Sequence, residues 1–338
     1  MATPATKTKP RILSGVQPTG NIHLGNYIGA IRQWCAHQAD YDSLFCVVDL
    51  HALTIPEAVE PEVLRRKNRE ISALYLACGI DPEVSTIFVQ SDVHQHAELS
   101  WILGCVTPLG WLYRMTQFKT KSDKRESVGT GLLTYPVLQA ADIVLYDADQ
   151  VPVGQDQKQH IELARDVAQR FNQLFGETLT VPDVMIPKAG ARIMGLDDPT
   201  AKMSKSVGAE VKGHAIGMLD TPKQIRKAIM RAKTDSGTEV DFSAISPGLR
   251  NLLTMYEVLS GESKEAIEAR FAGKGYGHLK KDVADVVLGA IEPVQARWKE
   301  LMDEPGYLDG VLDRGAERAT SIAAEVCGRV KAAVGLGR

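Results

Sequence analysis

The chain has almost no excess of charge of either sign. Its 338 residues carry 39 Lys and Arg against 42 Asp and Glu, a formal net charge of -3. That balance gives no support to bulk affinity for nucleic acid, so DNA is not an expected partner and any contact with RNA must come from a local positive surface. Cysteine is scarce and odd in number: Cys35, Cys46, Cys78, Cys105 and Cys327, with no C-x-x-C pair. This argues against a disulfide frame or a zinc site, and for reduced thiols in a cytoplasmic protein. No uninterrupted apolar run is long enough to span a bilayer, so no membrane association is expected. Residues 1–10 are polar and lack an apolar core segment, so they are no secretory signal and read as a mobile leader. Internal repeats and low-complexity tracts are also missing.

What is present is ordinary soluble-protein composition, 44% hydrophobic and 24% charged, over a length that suggests two or three domains. Arg11 to Val16 reads as a strand, followed by an amphipathic helix with Leu24, Ile28, Ile31 and Cys35 at helical spacing. Leu44 to Val48 is a short continuous apolar run, a strand buried on both faces, and its end carries Asp49 and His51. A helix spans about Pro61 to Cys78, with Val63, Leu64, Ile71, Leu74 and Tyr75 inward and Arg65, Arg66, Lys67 and Arg69 toward water. Thr86 to Gln90 is a third strand. Alternating strands and helices with short joins imply a parallel α/β sheet. Gln95 to about Phe118 is helical with a break at Thr107-Pro108, and Lys119 to Gly131 reads as a loop. Leu132 to Tyr146 is a helix, Asp149 to Val153 a connecting segment, Gln159 to Leu174 a helix, and Val181 to Ile186 the last strand. After residue 217 the pattern is all-helical, opening at Thr221-Pro222 in an N-cap/N1 arrangement. Lys223, Lys227 and Arg231 form a basic ridge there, equally consistent with a solvated face and with RNA contact.

Three stretches carry chemistry. Residues 14–26 form a strand-to-helix turn with Gly15, Gly20 and Gly25, where backbone can approach a ligand closely. The helix that follows presents free N–H groups suited to phosphate, and His23 sits at its mouth. Taken alone, this is equally a Gly-rich turn capped by a surface histidine. The second stretch is Lys202-Met203-Ser204-Lys205-Ser206, inside the long Gly-rich loop 188–217. It can bring two ammonium groups onto a polyphosphate, although a lone K-x-x-K is more simply a solvated basic loop. The third is the row Tyr135, Gln139 and Asp142, spaced i, i+4 and i+7, on a helix face flanked by apolar residues. Polar groups on such a face need partners.

Residues 23–26 resemble the HIGH motif of class I aminoacyl-tRNA synthetases, and residues 202–206 match their KMSKS loop letter for letter, in the family's order. Over nearly the whole chain after the leader the resemblance is to bacterial-type tryptophanyl-tRNA synthetases. Residues 14–20, 23–30, 134–142, 151–162, 190–194 and 202–206 carry it. The tyrosyl enzymes share the Tyr-x-x-x-Gln-Ala-x-Asp pattern of residues 135–142 and are the alternative within the class. A non-catalytic paralogue that only binds RNA is the alternative outside it. Three positions depart from the pattern or vary within it: Asn26 stands where the motif is named for His, Gln155 where Glu is common, and Gln139 where some members have Met.

The resemblance implies a Rossmann-type parallel sheet over residues 11–217, with a helical insertion at about 95–150 and a mobile lysine loop at 188–217. An all-helical tRNA anticodon-binding domain over 218–338 follows. It implies ATP as substrate, with Mg²⁺ accompanying it through phosphate oxygens and no dedicated protein metal site. L-Tryptophan and tRNA(Trp) are the other expected substrates, and a homodimer the expected assembly. Gln17, Pro18, Thr19, Gly25 and Asn26 are expected to hold ATP, with His23 at its phosphates. Gly154, Gln155 and Asp156 line the ribose, and the Ile193 backbone meets adenine. Lys202 and Lys205 are expected to grip the leaving phosphates from the 202–206 loop, with Met203, Ser204 and Ser206. Asp142 is expected to read the indole N–H, a group that only donates. Tyr135, Gln139 and Gln157 complete that pocket.

Overall fold

The computed structural model describes residues 9–122, 127–154, 157–185, 192–204, 208, 211–237, 240, 242 and 245–337. Strand β1 (Arg11–Val16) leads into a helical run, α1, built from Leu24–Asn26, a π-helical stretch Tyr27–Ile31 and Arg32–His37. Then come β2 (Asp42–Val47), α2 (Pro61–Ala77) and β3 (Thr86–Val89). Four helices follow: α3 (Gln95–Val106), α4 (Leu109–Tyr113), α5 (Thr116–Ser122) and α6 (Thr130–Val144). Strand β4 (Gln150–Pro152), helix α7 (Lys158–Phe175) and β5 (Asp183–Met185) complete the sheet. The expected loop at Lys119 therefore begins later, because α5 continues through Ser122.

The sheet is parallel throughout, in the order β3-β2-β1-β4-β5. The order reverses at β1, which pairs β2 on one side and β4 on the other. That is the switch point at which open α/β sheets build their sites. β4 is a strand that the sequence reading leaves as a connection.

Strand periodicity sorts the core onto two faces. Phe45, Val47, Ile87 and Val89 join Leu24, Ile28, Ile31, Leu74 and Tyr75 on one face. Leu44, Cys46 and Phe88 join α3, α6 and α7 on the other, through Leu99, Leu103, Val144, Ala164 and Phe171.

Beyond β5 the described residues contain helices and no strand: α8 (Pro222–Met230), α9 (Pro247–Ser260), α10 (Lys264–Phe271), α11 (Tyr276–Asp303) and α12 (Pro305–Ala333). The starts of α8 and α9 follow from local chemistry. Thr221 and Gln224 form a reciprocal capping box with Pro222 at the first turn, and Ser246 caps α9 ahead of Pro247. Ile225 and Ile229 are buried, leaving Lys223, Lys227 and Arg231 exposed. The first cluster runs on without a break from the sheet into Ile225, Leu252 and Val287. Helix α12 returns to the sheet, where Arg318 donates to Thr86 Oγ1 at 2.7 Å and to Asp42 Oδ1 at 2.6 Å on the β3 side. Its far end, Ala319 to Val330, enters the second cluster.

Two side-chain expectations on α2 are corrected. Val63 is exposed, because the first turn of α2 overhangs the core. Lys67 and Arg69 do not simply face water. Lys67 reaches Glu70 at 2.6 Å and Asn21 at 2.8 Å, and Arg69 pairs with Asp309 of α12. Among the described residues no helix is long and apolar enough to cross a membrane.

Candidate active site

Each strand delivers a segment of interest at its carboxyl end. Residues 17–26 follow β1, Asp49 and His51 follow β2, Gln90 follows β3, Gly154 and Gln157 follow β4, and the 192–204 segment follows β5. Parallel strands point their carboxyl ends to one edge, so these segments gather there.

After β1, Gln17 and Thr19 are exposed and Pro18 is buried. The Gln17 amide donates to the His51 carbonyl at 3.3 Å, tying the first turn to the second. His23 is buried and is itself the N-cap of α1. Its Nδ1 accepts from the Asn26 N–H at 3.3 Å, while Asn26 Oδ1 accepts from the His23 N–H at 3.2 Å. This reciprocal box accounts for Asn26. Because Nδ1 is an acceptor, a neutral His23 carries its proton on Nε2, which makes that atom a donor. The segment is further fixed by the Leu24 N–H donating to the Ile216 carbonyl at 2.8 Å and by an antiparallel bridge between His23 and Gly217.

The described part of the lysine loop is a hairpin. Met203 N–H donates to the Ile193 carbonyl at 3.1 Å, Gly195 N–H donates to the Ala201 carbonyl at 2.8 Å, and Met194 bridges Lys202. Asn251 of α9 clamps its base: Oδ1 accepts from Met194 N–H at 2.8 Å, and Nδ2 donates to the Met194 carbonyl at 2.9 Å. Ile193 and Met203 are buried, Ser204 is half-buried and Lys202 is exposed. The hairpin reaches the first turn, since a β-carbon built on Gly25 would lie 3.5 Å from Met203 Cβ. Gln155, Asp156, Lys205 and Ser206 lie outside the described residues.

The polar row on α6 is only partly buried: Tyr135 and Asp142 are buried, Gln139 is half-buried, and Gln157 beyond β4 is half-buried. Tyr135 Oη lies 2.8 Å from His160 Nε2, and burial pushes its hydroxyl pKa up to about 12. The Asp142 carboxylate is held by three side chains. Oδ1 lies 2.7 Å from Gln90 Nε2 and 2.7 Å from His96 Nδ1, and Oδ2 lies 2.8 Å from His51 Nε2. Burial alone would raise its pKa. The hydrogen bonds from His51 and His96 override burial and hold the carboxyl well below the usual range. The edge of this pocket is linked to the first turn through His51, whose ring meets Tyr135 edge-on at 6.2 Å. Asp49, by contrast, is consumed locally by Ser91 and Asn68.

Gln90, His96 and Tyr146 are residues that sequence reasoning does not single out. The only available signal is positional: Gln90 follows β3 as His51 follows β2.

A family model described as tRNA synthetases class I (W and Y) matches residues 5–291. The tryptophan–tRNA ligase of Gloeobacter violaceus is 52% identical over 335 residues, 98% of this chain and 98% of that protein. That of Bacillus subtilis is 51% identical over 331 residues, 98% and 99% of the two chains. The crystal structure of tryptophanyl-tRNA synthetase from Mycoplasma pneumoniae matches with a TM-score of 0.88 at 34% identity, over 98% of this chain and 99% of that one. The Campylobacter jejuni enzyme, complexed with ADP and tryptophan, matches with a TM-score of 0.85 at 35% identity, over 96% and 100%. The chain belongs to the class I tRNA synthetases of the W and Y type and, within them, to the bacterial tryptophan–tRNA ligase family.

Proposed function

We propose that this chain activates L-tryptophan with ATP and transfers it to tRNA(Trp). A carboxylate oxygen of tryptophan attacks the α-phosphorus of ATP, the bond to the β-phosphate bridge breaks, and pyrophosphate leaves. The 2′-OH of the terminal ribose then attacks the carbonyl of the mixed anhydride and AMP departs. The protein contributes positioning and charge neutralisation. Mg²⁺ enters as part of the nucleotide substrate, bound through phosphate oxygens.

The observation that carries this reading is the meeting of the first turn and the lysine hairpin at Gly25, at the same sheet edge as the Asp142 network. In this reading His23 donates to the ATP phosphates from Nε2, with Gln17 to Thr19, Gly25 and Asn26 around the nucleotide. Lys202 and Lys205 neutralise the departing pyrophosphate, with Met203, Ser204 and Ser206 shaping their loop. Gly154, Gln155 and Asp156 face the ribose and the Ile193 backbone faces adenine. Asp142 accepts the indole N–H, and Tyr135, Gln139 and Gln157 complete the tryptophan pocket.

The helices from residue 218 onward are the proposed anticodon-binding part, and the exposed ridge Lys223, Lys227 and Arg231 supports an RNA-facing surface there. A homodimer is proposed through α3 and α4, where Trp101, Leu109 and Tyr113 are 77%, 61% and 54% exposed. The cytoplasm is the proposed compartment. The test is aminoacylation of purified tRNA(Trp) and tRNA(Tyr). Tryptophan attached to tRNA(Trp) alone is the expected result, and tyrosine attached to tRNA(Tyr) overturns the reading.

A further inference from the structure

The Asp142 carboxylate is held by a buried relay, in which Gln90 and His96 each meet a second partner. Gln90 is fully buried, and its Oε1 accepts the Leu50 N–H at 3.0 Å. The amide is thereby oriented with Nε2 toward Asp142, 2.7 Å away. His96 is fully buried and stacks on Phe88, with centroids 6.2 Å apart and planes at 28°. Its Nδ1 faces Asp142 Oδ1 at 2.7 Å, and its Nε2 faces the Tyr146 hydroxyl at 2.7 Å. An ionised carboxylate only accepts, so His96 Nδ1–H donates to Asp142 Oδ1. In a neutral His96 the other nitrogen is then an acceptor, and the Tyr146 O–H donates to Nε2.

An ionised carboxylate offers about four acceptor sites. Gln90 and His96 occupy the two on Oδ1, and His51 occupies one on Oδ2. Among the described residues one acceptor direction remains, on Oδ2. We infer that His96, oriented by Tyr146, is a positioning residue for substrate selection: with Gln90 it saturates Oδ1 and so reserves a single acceptor on Asp142 for one incoming N–H donor. The inference rests on the reading of Asp142 as the group that meets the indole nitrogen. A site with one unpaired acceptor rejects an isosteric ligand that lacks the donor, because the acceptor is then buried without a partner. Without the His96 bond Oδ1 is left one donor short. The carboxylate is then held by Gln90 and His51 alone, and the second acceptor direction on Oδ1 competes with the reserved one on Oδ2.

The experiment compares L-tryptophan with L-β-(3-benzothienyl)alanine, which replaces the indole N–H by sulfur at nearly the same shape. The readout is the ratio of kcat/KM for the two in ATP–pyrophosphate exchange. The wild-type chain is expected to favour tryptophan by at least about 100-fold. His96→Leu should lower that ratio by about 10-fold or more, chiefly through the KM for tryptophan, the scale of one hydrogen bond to a charged group. His96→Asn, whose amide N–H stands where Nδ1–H stood, should recover most of the ratio. Tyr146→Phe, which keeps the ring and the packing, should give an intermediate loss, and it tests the relay even if His96→Leu fails to fold.

A wild-type ratio near one overturns the reading of Asp142, and the relay's role falls with it. A normal wild-type ratio that His96→Leu and Tyr146→Phe leave unchanged overturns the relay alone. Failure of His96→Asn to recover what His96→Leu loses overturns the donor argument. A purely structural role would change the amount of folded protein and leave the ratio where it was.

Discussion

Gly25 faces Met203 across 178 positions of sequence: a β-carbon on Gly25 would lie 3.5 Å from Met203 Cβ and 3.0 Å from His23 Nδ1. A β-carbon there would sit at ordinary contact distance from Met203 but too close to the His23 ring. Gly25→Ala must therefore shift the His23 ring by a few tenths of an ångström. Misplacement of positioning groups is costly even when small. The expected outcome is a fall of about 10- to 100-fold in ATP–pyrophosphate exchange, with the thermal midpoint nearly unchanged. An unaltered exchange rate would mean that this contact does not matter to the chemistry.

Lys202 is exposed, so removing its charge should leave the fold intact. Its proposed partner exists only while pyrophosphate is leaving. Lys202→Ala is expected to lower the rate of adenylate formation by about 100- to 1000-fold, the scale of losing one group that stabilises developing charge. Tryptophan affinity, measured by equilibrium titration, should change little. Equal losses in both measurements would remove Lys202 from the proposed role.

Gly315 of α12 lies against edge strand β3 so closely that a β-carbon would stand 1.8 Å from the Ile87 carbonyl oxygen. The obstacle is backbone, which cannot rotate away. Gly315→Ala should force α12 off the sheet and destabilise the chain by about 1–3 kcal/mol. Thermal or urea denaturation measures this. The helix covers a sheet edge that would otherwise be open to pairing, so increased aggregation is expected alongside.

The depressed pKa of Asp142 fixes the sign of a pH effect. A group whose folded pKa lies below its unfolded value, about 3.9 for Asp, contributes stability that is complete above that value. The contribution is lost as pH falls from there toward the folded pKa. The stability difference between wild type and Asp142→Asn should therefore be flat from pH 7 down to about 4, and should shrink below it. Denaturation midpoints of both chains across this range check the point. A difference that shrinks already between pH 7 and 5 would contradict it.

How far the sequence could be read differs by element, for physical reasons. β1 and the start of α8 are legible because local chemistry decides them: an apolar strand before a glycine turn, and a Thr-Pro cap. β4 is not legible. It is three residues long, contains Pro152, and has one register partner in β1, Ile12 with Gln150. Its position is fixed by tertiary contacts instead, with the Arg11 N–H donating to Asp149 Oδ2 at 2.7 Å and the Asp149 N–H donating to the Arg11 carbonyl at 2.8 Å. The charge on Arg69 reads as solvated because its partner, Asp309, lies 240 residues further on. At the site, motif letters single out His23, Lys202 and Asp142. They do not single out Gln90, His96 or Tyr146, whose roles depend on which strand ends and helices become neighbours. The His–Asn capping box at residues 23 and 26 is a middle case, local in sequence but unusual in using a histidine as the cap.

The most direct test of the whole account is ATP–pyrophosphate exchange with each of the standard amino acids offered singly. Exchange that depends on tryptophan, with tyrosine and phenylalanine inactive at the same concentration, is the result the account requires. Exchange driven by tyrosine, or none with any amino acid, would contradict it.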